Sequence, residues 1–467
     1  MTIREFTENN RENIIDDIKT LVGIRSVKGE PAAGAPFGEQ VKMAQLAAMR
    51  MCEREGFEII DADGMIATAH YGPKDKFIGV FSHMDIVPEG DGWDTPPFEC
   101  AQRDGFLVGR GVGDDKGPFV MNLYAAKYLK ENFTDLKYGV QLIIGVDEET
   151  GMSDAEYYVK NFPQPVFAYT PDSDFPVCHG EKGIFEGDLV SGDLGKSSIL
   201  EMSGGVASNV VPDHAEALIS LAEKDKLFEA AEGNSGVKLT GTDRGIKVEA
   251  FGVSAHAGTP FKGVNAVLVL LTFLAKAMVL NERESDAADF ICSVARDIYG
   301  RSLGIDCDDG KFTPLTIIAG TIKKEGAVWS MNVNSRYPTA IAPDVIEKKI
   351  KTAAENAGFE IGKYKNMPPF YLEPDLPAVR TLCEIYNELT GNSAKPYVMS
   401  GGTYARKLKN AVAFGPDFPE KKYPEWVGTA HMKNEAINIE DTLLAVEIYA
   451  NVLLRLQDEE LEIQEGK

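Results

Sequence analysis

Apolar side chains recur at helical spacing over 11–22 and again over 38–55, where Val41, Met43, Ala44, Leu46, Ala47 and Met51 carry the pattern until it stops before Gly56. Short β-rich runs follow at 77–81, 140–146 and 166–169, separated by helical patterns at 118–132 and 152–160. Such alternation predicts a mostly parallel sheet covered by helices. Beyond Gly180 the style changes. Strand-like runs at 245–253 and 315–322 surround a strongly apolar helix at 265–280, so strands and helices segregate and an α+β section is predicted. From about 376 the first style returns, with a helix at 376–389, a β-run at 411–414 ending in Gly415-Pro416, and a closing helix at about 440–456. The expected fold class is an α/β domain with a mostly parallel, helix-covered sheet, interrupted by an inserted α+β domain, with segments 1–180, 181–375 and 376–467. The acidic tail 457–467 reads as a solvated, frayed end.

Composition narrows the chemistry. At 467 residues the chain has room for two or three domains of roughly 150 residues each. Lys plus Arg total 48 against 72 for Asp plus Glu, a net charge of −24 that repels nucleic acid and anionic membrane alike. With 44% hydrophobic and 26% charged residues it reads as a folded globular protein. The six cysteines form no CxxC pair and read as thiols of a reducing compartment. The opening residues show neither the basic start nor the apolar core of a secretory signal, and the apolar stretch 266–280 is too short to span a bilayer. A cytoplasmic location is expected.

Candidate chemistry clusters after the β-runs. Ser82-His83-Met84-Asp85 directly follows 77–81, at the carboxyl end of a strand, where open α/β sheets collect ligands. Residues two apart in extended chain share a face, so Asp85 is expected to accept a hydrogen bond from one nitrogen of His83 while the other holds a metal. The glycine-rich turn 109–118, GRGVGDDKGP, lacks the phosphate-loop pattern and carries Asp114 and Asp115 where a phosphate would sit. Asp147-Glu148-Glu149 closes the run 140–146, and Asp172 stands just after 166–169. Neighbouring carboxylates of this kind divide the work of holding a divalent metal and serving as general base. His431 lies in GTAHMKNE. Each feature alone also reads as an ordinary turn, helix start or structural histidine. Together they make an N/O donor set suited to zinc, cobalt or manganese. If Asp114, Glu149 and Asp172 serve with neutral His83 and His431, three negative charges leave two divalent ions one positive charge in excess, which a single hydroxide balances. Two ions are therefore expected rather than one.

SHMDIVP, GRGVGDDKGP, GVDEETG, TPDSDFP and TAHMKNE, in this order and spacing, resemble the dizinc amidohydrolase and peptidase family that includes aminoacylase, succinyl-diaminopimelate desuccinylase, glutamate carboxypeptidase and bacterial dipeptidases. The resemblance spans nearly the whole chain, and the length, GDDKGP and the long middle section are most similar to the single-chain Xaa-His, carnosinase-like dipeptidases. It implies that His83 and Asp172 hold one metal, that Glu149 and His431 hold the other, and that Asp114 bridges them. It also implies that Asp85 orients His83, that Glu148 is the general base, and that the peptide bond after Asp114 is cis. The first and last segments would then be a catalytic domain, and the insertion a lid of two similar subdomains. In that lid SAHAGTP resembles the motif whose histidine, here His256, stabilises the oxyanion. SNVVP and NSRYP resemble the segments whose Asn209 and Arg336 secure the substrate carboxylate, and SGGTY a glycine-rich segment near it. A lid of this length delivers His256 within one chain, which implies a monomer. The implied activity is hydrolysis of unblocked dipeptides. Alternatives are an N-acyl-amino-acid or succinyl-diamino-acid amidohydrolase on the same scaffold and, in another class, a non-catalytic metal- or peptide-binding relative.

Overall fold

The computed structural model describes residues 1–233 and 236–462. The chain divides into two compact units, one taking Met1–Gly180, Leu372–Tyr397 and the residues from Gly402 onward, the other Glu181–Tyr371 with Val398–Gly401.

In the first unit six strands lie side by side in the order Glu58–Ala62, Ile66–Tyr71, Gly139–Gly145, Phe77–His83, Phe167–Thr170 and Ala411–Ala413. The sheet is mixed. The last four strands run parallel, and the first two join at one edge by antiparallel pairing. Phe77–His83 and Gly139–Gly145 are buried along their full length, as strands covered on both faces must be. Their cover comes from helices that lay Ile14, Ile18 and Leu21, Leu123 and Leu129, and Val446 and Leu453 into one core with Ile78, Val80, Leu142 and Ile144. Because His83 pairs with Gly145, both strands end at the same level, and the turns that follow them emerge together.

The tail departs from its sequence reading. Leu461 is buried, its N–H donates to the Tyr138 hydroxyl, and Asn410 donates to the carbonyl of Glu462. Leu461 supplies enough apolar surface to dock a segment whose charges point outward. Residues 463–467 lie outside the described residues.

The second unit is built on eight antiparallel strands in the order Val237–Gly241, Ile246–Phe251, His214–Ile219, Ile199–Gly204, Thr316–Glu325, Val328–Tyr337, Gly183–Ser191 and Phe359–Met367. Burial alternates along Gly183–Ser191 and His214–Ile219, the signature of a sheet with one covered and one solvated face. Helices Ala266–Lys276, Glu282–Arg296 and Pro343–Asn356 cover it, packing Leu271, Ile291 and Ile350 against Val248, Ile317 and Val333. The eight strands form one continuous sheet, and a small separate cluster of Val211, Ala257 and Ile318 lies beside the main core. The helix expected at 265–280 starts where Asn265 caps the N–H groups of Val267 and Leu268 and stops at Lys276. Met278, at φ 53°, ends it. Among the described residues no helix is long and apolar enough to cross a membrane.

Candidate metal centre

His83 is the last residue of its strand, and its N–H donates to Asp115 Oδ2 at 3.0 Å. Its ring is oriented through main chain rather than through the carboxylate the sequence suggested. Nδ1 lies 2.9 Å from the Asp85 carbonyl oxygen and 3.5 Å from Asp85 Oδ1. The Asp85 carboxylate instead accepts the N–H groups of Glu148 and Glu149, at 3.2 and 3.1 Å, and so holds the next acidic turn. With Nδ1 engaged, His83 Nε2 faces Asp114 Oδ1 at 2.9 Å and Asp172 Oδ2 at 3.9 Å.

Asp114 presents its other oxygen to a second imidazole. Oδ2 lies 3.0 Å from His431 Nε2, which is itself 3.1 Å from the Glu149 carboxylate. The glycines of the Asp114 turn are sterically required. Gly111 has φ +82°, and a Cβ there would meet Ile86 at 2.8 Å, while a Cβ on Gly117 would meet the Val112 carbonyl at 2.1 Å. The Asp114–Asp115 peptide bond is cis. The result is two triads, His83, Asp114, Asp172 and Asp114, Glu149, His431, each with ligand atoms within 4.8 Å of one another and with Asp114 common to both.

The polar groups of this cluster suit cations better than they suit each other. His83 Nε2 and Asp114 Oδ1 are buried and face each other at 2.9 Å without the alignment of a hydrogen bond, and Glu148 Oε1 is buried without a hydrogen-bond partner, a costly state unless an ion or proton compensates. Burial, then the charge of Asp114, pushes the Asp172 carboxyl up to about 8. Burial with Asp172 and Glu149 nearby holds Glu148 well above its ordinary range. Contact with Asp114 and then Glu149 raises His431 to about 11. Proton affinity is thus raised at Asp172, Glu148 and His431, where a divalent ion would compensate the same charges, and these imidazole and carboxylate donors match the chemistry of zinc, cobalt and manganese. A third group, His214, Glu216 and Glu249 on the second unit, differs: Lys247 lies 2.8 Å from Glu216 and Lys238 3.6 Å from Glu249, so its acids are already compensated.

Sequence reading missed the residues that hold these turns. Asp154 Oδ2 accepts the N–H groups of Val146 and Asp147 and the hydroxyl of Tyr404, whose ring stacks on Phe81. Glu435 accepts the N–H groups of Gly111, Gly113 and Asp114. No local pattern marks Asp154, and Glu435 closes the run GTAHMKNE without showing its task, because each is defined by the distant main chain it binds.

In the second unit Val210 pairs with His256, which sets Asn209 beside the histidine strand, and the Asn209 carbonyl accepts the N–H of Ala257. His256 Nδ1 accepts the N–H of Gly258, leaving the proton on Nε2. Arg336 is 5% exposed, donating through Nε to Asn334 and through Nη1 to the Ser400 carbonyl. Gly258 is required here too, since a Cβ would meet Ser400 at 2.7 Å.

Residues 79–455 match the model of peptidase family M20/M25/M40. A Bacillus subtilis (strain 168) protein described as "Putative dipeptidase YtjP" is 34% identical over 459 residues, covering 96% of this chain and 97% of its own. A Staphylococcus aureus (strain bovine RF122 / ET3-1) protein described as "Putative dipeptidase SAB1611c" is 31% identical over 98% of this chain and 100% of its own. Human carnosine dipeptidase 1 shares the fold with a TM-score of 0.57 at 14% identity, over 98% of this chain and 99% of that one. Family match and full-length relatives agree: the chain belongs to peptidase family M20/M25/M40 and is a peptide-bond hydrolase.

Proposed function

We propose that this protein is a metallodipeptidase cleaving unblocked dipeptides at a dinuclear centre, with His83, Asp114 and Asp172 around one ion and Asp114, Glu149 and His431 around the other. The observation that carries the reading is the Asp114 carboxylate, each of whose oxygens faces a different imidazole. Two bound divalent ions, most naturally zinc, with cobalt or manganese as alternatives, would polarise the scissile carbonyl and acidify a water toward neutrality. Glu148 accepts the proton of the attacking water and returns it to the leaving amine. Asp85 acts as a positioning residue by fixing the main chain of Glu148 and Glu149. The family's lid function falls to the second unit, and within it Arg336 and Asn209 bind the substrate carboxylate. Arg336 suits that task because its guanidinium is already aligned by Asn334 and Ser400. His256 donates to the oxyanion: its Nδ1 is occupied by Gly258, and partial desolvation with the charge of Arg336 lowers its pKa, so a neutral ring offers Nε2–H. The dipeptidase descriptions of the relatives that match over nearly the whole chain support this substrate class.

A panel of free dipeptides, tripeptides and N-acetylated amino acids, assayed with each added metal, tests the proposal. Turnover of free dipeptides is expected; turnover of the acetylated compounds alone would transfer the site to the amidohydrolase reading. Arg336→Ala is expected to raise KM about 10- to 100-fold, the loss of a charge-assisted contact, with kcat changed less. His256→Ala is expected to show the converse, a kcat lowered about 10²- to 10³-fold with KM little altered. Steady-state kinetics of the two variants separates the roles.

A further inference from the structure

The Arg110–Glu435 ion pair touches no reacting group, yet it joins the turns that carry two of the candidate ligands. Both side chains are about 2% exposed, with Nη1 2.5 Å from Glu435 Oε2. Glu435 Oε1 accepts the N–H groups of Gly113 at 2.9 Å and Asp114 at 3.3 Å, and Oε2 accepts that of Gly111 at 3.2 Å. Four donors therefore converge on one carboxylate. The other arm of Arg110, Nη2, donates to the carbonyl of His431 at 3.1 Å and of Glu89 at 3.3 Å, and its guanidinium carbon lies 5.3 Å from the centre of the Trp93 ring.

Main-chain pairing does not reach far enough to do this work. Ala436–Asn438 pairs with Phe106–Val108, and the N–H of Gly109 donates to the Glu435 carbonyl, where the ladder stops. Beyond it both segments leave extended backbone: Gly111 has φ +82°, Asn434 φ +55° and His431 φ +65°. The His431 turn closes on itself, through Gly428 donating to Asn434 and Met432 to Thr429. Besides the contact of the His431 ring with Asp114 itself, its tie to the Asp114 turn runs through the side chains of Glu435 and Arg110.

We infer that Arg110 and Glu435 are positioning residues that set the affinity of the centre for its ions, by locking the Asp114 turn to the His431 turn. The inference rests on the dinuclear reading proposed above. Holding a ligand-bearing turn rigid lowers the entropy lost when an ion binds, and partners of this kind are commonly worth about 10- to 100-fold in metal affinity. Asp114 serves both ions and His431 only one, so loosening the clamp weakens the ion shared with Glu149 and His431 most.

The test is titration of metal-free wild type, Glu435→Gln, Arg110→Lys and Leu461→Ala with Zn²⁺ or Mn²⁺, with stoichiometry and affinity read by chelator competition. Glu435→Gln removes the charge that gathers the Asp114 turn. Arg110→Lys keeps a cation for Glu435 and gives up the second arm to His431, which keeps the question answerable if Glu435→Gln does not fold. Leu461→Ala loosens the docked tail away from the centre and serves as a stability control. Wild type is expected to take up two ions. Both clamp variants are expected to bind one of them about 10- to 100-fold more weakly, with turnover recovered at high metal, and Leu461→Ala to bind as wild type. Wild-type affinities in the clamp variants, or an equal loss in Leu461→Ala, would overturn the inference. Uptake of fewer than two ions by wild type would overturn the dinuclear reading itself, and the clamp with it.

Discussion

Glu148→Gln is expected to lower kcat by roughly 10²- to 10⁴-fold while dipeptide KM and metal content stay near wild type. The substitution keeps the volume and length of the side chain and removes only its capacity to take a proton. Glu148 is suited to that task by its surroundings. One carboxylate oxygen is buried without a hydrogen-bond partner, and burial reinforced by Asp172 and Glu149 raises its affinity for a proton well above that of a free glutamate. Its main chain is pinned through Asp85, so the amide variant has no reason to move the turn. Steady-state kinetics with elemental analysis of the same preparation decides the matter. Undiminished turnover would remove Glu148 as the base, and loss of metal would recast it as a ligand.

Asp114→Asn is expected to have the larger effect on metal, abolishing stoichiometric uptake of both ions and activity with it. Each oxygen of Asp114 faces a different imidazole, so one substitution touches both triads, whereas His83→Ala or His431→Ala touches one. Stability gives an independent readout. A ligand that binds only the folded state stabilises it by about 2.7 kcal/mol at a concentration 100 times its Kd. Added metal should therefore raise the Tm of wild type and leave that of Asp114→Asn unmoved. The readout is the shift on adding metal rather than the starting Tm, because against the cost of burial the contacts with His431 and His83 hold the Asp114 carboxyl below its ordinary range, and their loss is expected to lower the stability of the metal-free variant. Two ions retained by Asp114→Asn would end the bridging assignment.

The fold was legible wherever local pattern and tertiary environment agree. The run at 77–81 marks the strand Phe77–His83 but falls two residues short, because Ser82 and His83 are polar and nonetheless buried at the strand end. The helical pattern at 376–389 matches Pro377–Thr390, where Ala378, Val379, Leu382 and Ile385 are buried at helical spacing. The tail was misread for the converse reason. Its charges suggest solvent, and among its described residues the apolar Leu461 docks and finds its partner at Tyr138, far back in the chain.

The candidate centre divides in the same way. From the sequence come the donor types and their place after β-runs, since a strand's apolar run and the polar turn that ends it are neighbours in the chain. The chain order does not say which carboxylate faces which imidazole, that Asp85 holds the Glu148-Glu149 turn by its carboxylate while orienting His83 by its carbonyl, or that Glu435 gathers the Asp114 turn. Apart from the short-range contact of His83 with the Asp85 carbonyl, those facts are hydrogen bonds and close contacts between residues tens to hundreds of positions apart, as between Arg110 and Glu435. Periodicity records which face of an element is buried; what that face meets is decided only when the elements pack.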